Sequence, residues 1–424
     1  MGASHSLNTP EAIVYRGRIN VDALQRALRA LIERHESLRT AFIIVNGKPR
    51  QKVCPVPELR VRQFDLRGES DPDFRAKEIA QRDAVQPFDL AQPTPMRATL
   101  LQLSDERGVF LLTMHHIIGD GWSRRLFYEE FAELYRAFIR NLPNPLRPLS
   151  LQYKDYAVWH NACDFAREES YWMQRLTGVP EGVALPFDFS IRQKREFLGA
   201  SESLRFSPEL TNAVRELAQR HGTLTSYVML TFFKLVLYHM SRQSDLCVGL
   251  SCANRGHPEI ERLIGFFVNI LPIRTRLSHE MDFTELLCQV VAATTQALEY
   301  QDYPLDLLIQ KLNPPRRSNR PPLINVVYGF HDFLDLKLDA GASPTGAGDP
   351  GRSPHDFVVE SGWTFSHETA KFDLTLLVTD NQTNLDLLLE YDRTLFRPET
   401  AQNCLSTLEE LTRTVTQQRP PNRQ

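Results

Sequence analysis

Between Val21 and His35 the apolar residues fall at Leu24, Leu28, Leu31 and Ile32, with Arg and Glu between them. That spacing gathers them on one face and predicts an amphipathic helix packed against a core. From Leu38 to Val45 the pattern turns β-like, Asn46-Gly47 supplies a hairpin dipeptide, and Gln51-Lys52-Val53 resumes as a strand. Val109 to Met114 is apolar and β-favouring throughout, as in a buried strand. Gly119-Asp120-Gly121 then breaks regular structure, and helical periodicity returns from Trp122 to Arg140 until Asn141-Leu142-Pro143-Asn144-Pro145 stops it.

A second half begins after the loop around Gly178 to Pro186. Ser207-Pro208 opens a helix, Leu210, Val214 and Leu217 supply its stripe, and Gly222 closes it. The apolar run Tyr227 to Tyr238 is too short to span a bilayer and carries Lys234, so it reads as a buried helix. Asp339 to His355, dense in Gly, Pro, Ala and Ser, reads as a mobile surface loop, with strand-like segments at Phe357 to Val359 and Phe372 to Val378. Ala30 to Leu38 and Glu216 to Leu224 share periodicity and an R-H-x-[S/T]-L ending, a faint internal echo that suggests two similar lobes. The division expected is 1–178 and 179–424.

Composition narrows the function classes. With 424 residues, 42% of them apolar, the chain has material for a large core and more than one folding unit. Its 49 basic and 52 acidic residues give a net charge of −3, so no global basic field attracts nucleic acid or an anionic membrane. The six cysteines are scattered without a C-x-x-C pair, which fits a reducing cytoplasm better than a disulfide framework. Met1 to Ser6 formally matches a permissive myristoylation pattern, equally read as an ordinary start.

The chemistry concentrates at Met114-His115-His116-Ile117-Ile118-Gly119-Asp120-Gly121-Trp122-Ser123, where two histidines and an aspartate meet a sharp chain reversal after a buried strand. At average residue usage H-H-x-x-x-D-G arises by chance on the order of once per thousand chains of this length. A metal site is disfavoured: His116 and Asp120 would share a face only on a helix, which the strand and glycines oppose, and no third ligand follows at a familiar spacing.

These residues resemble the condensation domain of nonribosomal peptide synthetases, within the chloramphenicol acetyltransferase-like superfamily. Arg34 to Phe42 is similar to the family's R-H-E-x-L-R-T-x-F segment and Met114 to Ser123 to its H-H-x-x-x-D-G core; Tyr153 to Trp159 follows as in the family. Ile264 to Asn269 matches I-G-x-F-V-N, and Tyr300 to Asp306 resembles Q-D-Y-P-F-E. The first family segment is missing, so the chain looks truncated at its start; Gly119 replaces the usual serine, and Arg316 to Leu323 matches the last segment only in part.

The resemblance implies an α/β fold of two acetyltransferase-like sandwich lobes set as a V-shaped pseudo-dimer. It implies His116 on a tunnel between them, and floor-loop and latch segments in the second lobe. It further implies amide formation between a donor acyl or peptidyl thioester and an acceptor aminoacyl thioester. Both would arrive on the phosphopantetheine arms of partner carrier proteins, with adenylation and other synthetase domains as neighbours and no cofactor or metal held by the chain itself. The polar stretch from Thr416 to Gln424 reads as a linker toward such a domain.

An imidazole with an ordinary pKa near 6.5 suits His116 as general base for the attacking amine, or as its positioning group. Gly121 lets backbone approach the reacting carbonyl and offers an N–H to an oxyanion. Asp120 is expected to be a buried architectural anion, paired with Arg255 first and Arg39 second, the family placing an Asp-Arg pair here. His115 is expected to pack behind the site, since neighbouring side chains on a strand point to opposite faces. Trp159 and Phe267 read as core or tunnel wall, with Asn269 beside them. Without a G-x-S-x-G elbow or a cysteine in these segments, direct transfer is expected rather than an acyl-enzyme. The competing readings are an ester-forming or coenzyme A-dependent acyltransferase and a catalytically silent carrier-recruitment domain; an epimerisation domain fits the later segments less well.

Overall fold

The computed structural model describes residues 4–315, 320–331, 357–363 and 369–417. By internal contacts the chain forms two compact units. The first comprises Met1–Cys163, Arg255–Phe267 and Leu336–His367, and the second Asp164–Asn254, Val268–Asp335 and Glu368–Gln424. A single cut after residue 178 therefore differs from these units. The physical reason is that buried side chains of the first unit bind Arg255–Phe267, a commitment invisible to a cut made along the sequence.

The first unit contains β1 (Asn8–Gly17), α1 (Val21–Arg34), β2 (Thr40–Val45), β3 (Lys48–Val53), β4 (Arg62–Asp65), α2 (Pro72–Val85), β5 (Met96–Ser104), β6 (Arg107–His115), α3 (Gly121–Ile139), α4 (Tyr153–Ala162) and, from late in the chain, β11 (Phe357–Trp363). Its main sheet runs β11-β1-β6-β5-β4, antiparallel except for the parallel β4-β5 pair. β6 is buried on both faces: Val109 and Leu111 pack toward α2, while Phe110, Leu112 and Met114 join the core formed with α1 and α3. That explains its unbroken apolar run, because alternation is lost when neither face meets water. Each such buried side chain contributes about 1.5–3 kcal/mol of transfer free energy.

α1 buries Ala23, Leu24, Ala27, Leu28, Leu31 and Ile32, the stripe its spacing predicts, and Asn20 caps it by accepting the Ala23 N–H at 2.9 Å. The hairpin β2-β3 turns at Asn46 and Gly47, both at positive φ (51° and 73°). The β-like segment expected from Leu38 starts at Thr40 instead. Glu36–Arg39 forms a 3-10 turn, closed by the Thr40 hydroxyl donating to the Glu36 carbonyl at 2.7 Å.

The second unit contains α5 (Ala166–Leu176), β7 (Gly199–Arg205), α6 (Pro208–Arg220), α7 (Thr225–Ser241), β8 (Asp245–Cys252), β9 (Asn269–Arg276), α8 (Phe283–Glu299), α9 (Leu305–Leu312), β10 (Val326–His331), β12 (Leu374–Asp380), β13 (Leu385–Asp392) and α10 (Pro398–Gln417). Its sheet is ordered β7-β13-β12-β10-β8-β9. α6 begins at Ser207 and Pro208 as its sequence predicts, and α7 is a core helix that buries Lys234 completely. Each unit is thus a mixed α/β body with its own core.

Thr416 and Gln417, read as linker, complete α10; residues 418–424 lie outside the described residues, as do Asp339 to His355, Arg316 to Asn319 and Met1 to Ala3. Among the described residues no helix is long and apolar enough to cross a membrane.

Candidate active site

β6 ends at His115, and His116–Ile118 form one 3-10 turn before α3 begins at Gly121. The two imidazoles are treated oppositely. His115 is buried, its Nδ1 accepts the Ile117 N–H at 3.1 Å, and its ring meets Phe88 edge-on. His116 is half-buried, with its ring edge-on to Phe266 at 5.1 Å between centroids. The turn therefore presents one of the two histidines.

Asp120 stands behind this turn as N-cap of α3. Its Oδ1 accepts the Ser123 N–H at 2.8 Å, satisfying one of the helix's orphan donors, and its Oδ2 accepts the Phe267 N–H at 2.9 Å. Arg255 completes the arrangement, with Nη2 at 3.3 Å from Asp120 Oδ1 and both side chains 2% exposed. The same guanidinium donates to Ser123 Oγ at 2.8 Å and to the carbonyls of Ile260 and Leu263 at 2.7 Å each, and lies 4.1 Å from the Phe267 ring centre. Burial pulls the Arg255 pKa below its usual value, and the charge of Asp120 opposes that pull. A guanidinium stays charged under such a shift, so the buried cation and anion require each other. Asp120's oxygens are thus committed to the fold, in place of the metal-ligand role weighed from its spacing to His116.

Arg39 is elsewhere: its Nη1 donates to the Cys54 carbonyl at 2.7 Å and its Nη2 lies 3.7 Å from Glu36. The 3-10 turn that replaces the expected strand start gives it these local partners, so the second choice of ion-pair partner is corrected. Trp159, expected as core or tunnel wall, is 44% exposed on α4, beside Tyr156, His160 and His257, so the core reading does not hold. α4 buries none of its residues, which its aromatic composition conceals. Phe267 is core, packed at 5.0 and 4.6 Å from the Tyr153 and Tyr156 rings. Asn269 belongs to the second unit and is spent on structure: its amide donates to the carbonyls of Gln301 and Tyr303 at 2.8 Å each. Gly121 is the first residue of α3, where a backbone N–H points out of the helix.

Besides Asp120, side chains outside the expected site residues hold Ile264–Phe267. Ser37 Oγ donates to the Ile264 carbonyl at 2.7 Å, and Ser123 Oγ donates to the Gly265 carbonyl at 2.7 Å while accepting its N–H at 3.0 Å. Tyr153 Oη donates to the Phe266 carbonyl at 2.7 Å. A Cβ on Gly265 would lie 2.1 Å from Tyr153 Cδ2, so this position admits only glycine. Gly119 differs: a Cβ there meets Ser123 Cβ at an ordinary 3.4 Å, leaving room for the serine usual at this position. One signal was available, since Asp120 and Ser123 are three apart in the first turn of a helix and share a face.

The family model of the condensation domain matches residues 1–421. The chain is 36% identical over 421 residues to malpibaldin synthetase of Mortierella alpina, an alignment covering 98% of this chain and 7% of that protein. Among solved structures it is similar to the X-domain from teicoplanin biosynthesis, at TM-score 0.82 and 23% identity over 96% of this chain and 90% of the other. It is also similar to the condensation domain of the monacolin K polyketide synthase MokA, at TM-score 0.83 and 19% identity over 97% and 93%. At these identities the two structures speak to fold, and they share the two-part α/β architecture expected from the sequence.

Proposed function

The chain belongs to the condensation-domain family, and from that premise we propose that it forms an amide bond between a donor acyl or peptidyl thioester and an acceptor aminoacyl thioester in nonribosomal peptide synthesis. Both substrates arrive on the phosphopantetheine arms of carrier proteins, and adenylation domains are expected neighbours. The chain itself contributes no cofactor in this scheme.

An α-amine has an ordinary pKa of about 7.7–8.0, so much of it is protonated near neutrality and a proton must leave as the new bond forms. His116 accepts that proton or orients the amine, a role worth about 10²–10⁴-fold in rate. As the amine nitrogen adds to the thioester carbonyl, negative charge develops on the carbonyl oxygen. The N–H of Gly121, at the positive end of α3, is the donor we assign to it. Collapse of that adduct expels the pantetheine thiolate, which takes up the proton, and leaves the amide on the acceptor arm. Tethering both thioesters raises their effective concentration, so positioning supplies a large share of the acceleration.

One observation carries the reading: His116 is half-exposed while His115 is buried with Nδ1 committed to backbone. A recruitment domain without chemistry has no need to present that imidazole on a turn secured by a buried ion pair. The test incubates the protein with a carrier-bound radiolabelled donor thioester, then adds loaded acceptor carrier. The expected result is no label on the protein and a new amide on the acceptor arm. A stable acyl-enzyme overturns direct transfer, and product formed only from coenzyme A donors identifies a related acyltransferase instead.

A further inference from the structure

We infer that Phe266 selects the acceptor by its side chain, favouring an apolar residue next to the attacking amine; this rests on the condensation reading above. Phe266 is 42% exposed between two buried neighbours, Gly265 and Phe267. A single exposed apolar side chain is ordinary on a protein surface, so what distinguishes Phe266 is how firmly it is held beside His116. Here the ring cannot turn in by backbone adjustment. Ser37 and Ser123 hold the two residues before it, Tyr153 holds its own carbonyl, and Asp120 holds the N–H of the residue after it. Gly265 is pressed against the Tyr153 ring, which closes the remaining direction. A rigid mount thus projects an apolar face beside His116.

The geometry of the reaction decides which substrate meets it. The attacking nitrogen must come within about 3 Å of the imidazole nitrogen, and the acceptor's α-carbon is one bond of about 1.5 Å further on. The acceptor side chain leaves from that carbon, at the same range from His116 as the Phe266 ring. The donor's α-carbon lies beyond the carbonyl under attack and is more distant by a further bond. An apolar acceptor side chain covers the exposed part of the ring, whereas glycine leaves it wet and a carboxylate is desolvated against it without a partner.

The experiment measures kcat/KM for carriers loaded with glycyl, aspartyl, leucyl and phenylalanyl acceptors against one fixed donor, in the parent, Phe266→Ala and Phe266→Leu. A parallel series varies the donor against one fixed acceptor. The parent is expected to favour leucyl and phenylalanyl over glycyl and aspartyl acceptors. Phe266→Ala should lose about tenfold of that preference, within the range a hydrophobic contact discriminates, and Phe266→Leu should keep most of it. Donor preference should not move. The ring-current shift of the His116 ring protons should vanish in Phe266→Ala, by NMR of imidazole-labelled protein at unchanged Tm. An acceptor preference that stays within about twofold in Phe266→Ala, a change confined to the donor series, or an unaltered His116 shift overturns the inference while leaving the condensation reading standing. Absence of amide product from the parent with every pair overturns that reading itself, and this inference with it.

Discussion

Asp120 Oδ2 accepts the Phe267 N–H at 2.9 Å, so the carboxylate that caps the helix behind His116 also fixes the loop that carries Phe266. The three roles of Asp120, as helix cap, ion-pair partner and loop anchor, are all structural. In the proposed reaction the residue that meets substrate is His116. That separation gives opposite expectations for substitutions four residues apart.

His116→Ala should reduce amide formation by about 10²-fold or more while leaving Tm within a degree or two of the parent, because a half-exposed ring is removed without opening a core cavity. Dipeptidyl product from doubly loaded carriers, measured beside a thermal melt, checks both halves. Near-parental turnover would remove His116 from the mechanism.

Asp120→Ala should lower stability as well as activity. It leaves the Arg255 guanidinium buried beside an uncapped helix, at a cost of about 3–5 kcal/mol, and Arg255→Ala should cost a similar amount by stranding Asp120. The double variant should be less destabilised than the sum, with a coupling of about 0.5–3 kcal/mol in denaturant titrations. Strict additivity would mean that the two side chains do not depend on each other.

Gly265→Ala should disrupt the loop although it adds only a methyl group, because that methyl meets the Tyr153 ring at 2.1 Å. Overpacking of this kind costs about 1–3 kcal/mol. The second variant Tyr153→Ala makes room for it, so Gly265→Ala should be better tolerated in that background than in the parent. Gly119→Ala serves as the control, since its new Cβ finds only ordinary contact. Equal melting temperatures for Gly265→Ala and the parent would refute the close approach.

The sequence made legible what depends on period and on local chemistry. The α1 stripe, the buried β6, the Asn46-Gly47 hairpin and the Ser207 cap all follow from neighbours along the chain, and each stands where the pattern puts it. So does the Asp120–Arg255 pair, though its partner was named from a family resemblance rather than from spacing. What escaped depends on residues far apart in sequence. Ser37, Ser123 and Tyr153 meet at Ile264–Phe267 only after folding, and a serine or tyrosine carries no mark of which carbonyl it will serve. Of the two readings of Trp159, core and tunnel wall, core fails for the same reason: an aromatic residue is usually buried, and only the packing of α4 shows that this one is exposed.

Lys234 offers a test remote from the active site. It is completely buried in α7, and its Nζ donates to the Ile273 carbonyl at 2.7 Å. Burial pushes its pKa down to about 7, against the weaker opposing influence of Cys247 and Asp245. An unfolded lysine titrates at about 10.4, so between about pH 7 and 10.4 the unfolded chain binds a proton that the folded one has released. Stability should therefore rise as pH increases through that window, while below about pH 7 both states are protonated and the full penalty of the buried ammonium remains. Lys234→Met, similar in length and without the charge, should flatten that rise and stabilise the protein at pH 6 more than at pH 9. Urea titrations of parent and variant across pH 6 to 9 check the sign; a parent slope that Lys234→Met leaves unchanged would place the proton uptake on another group.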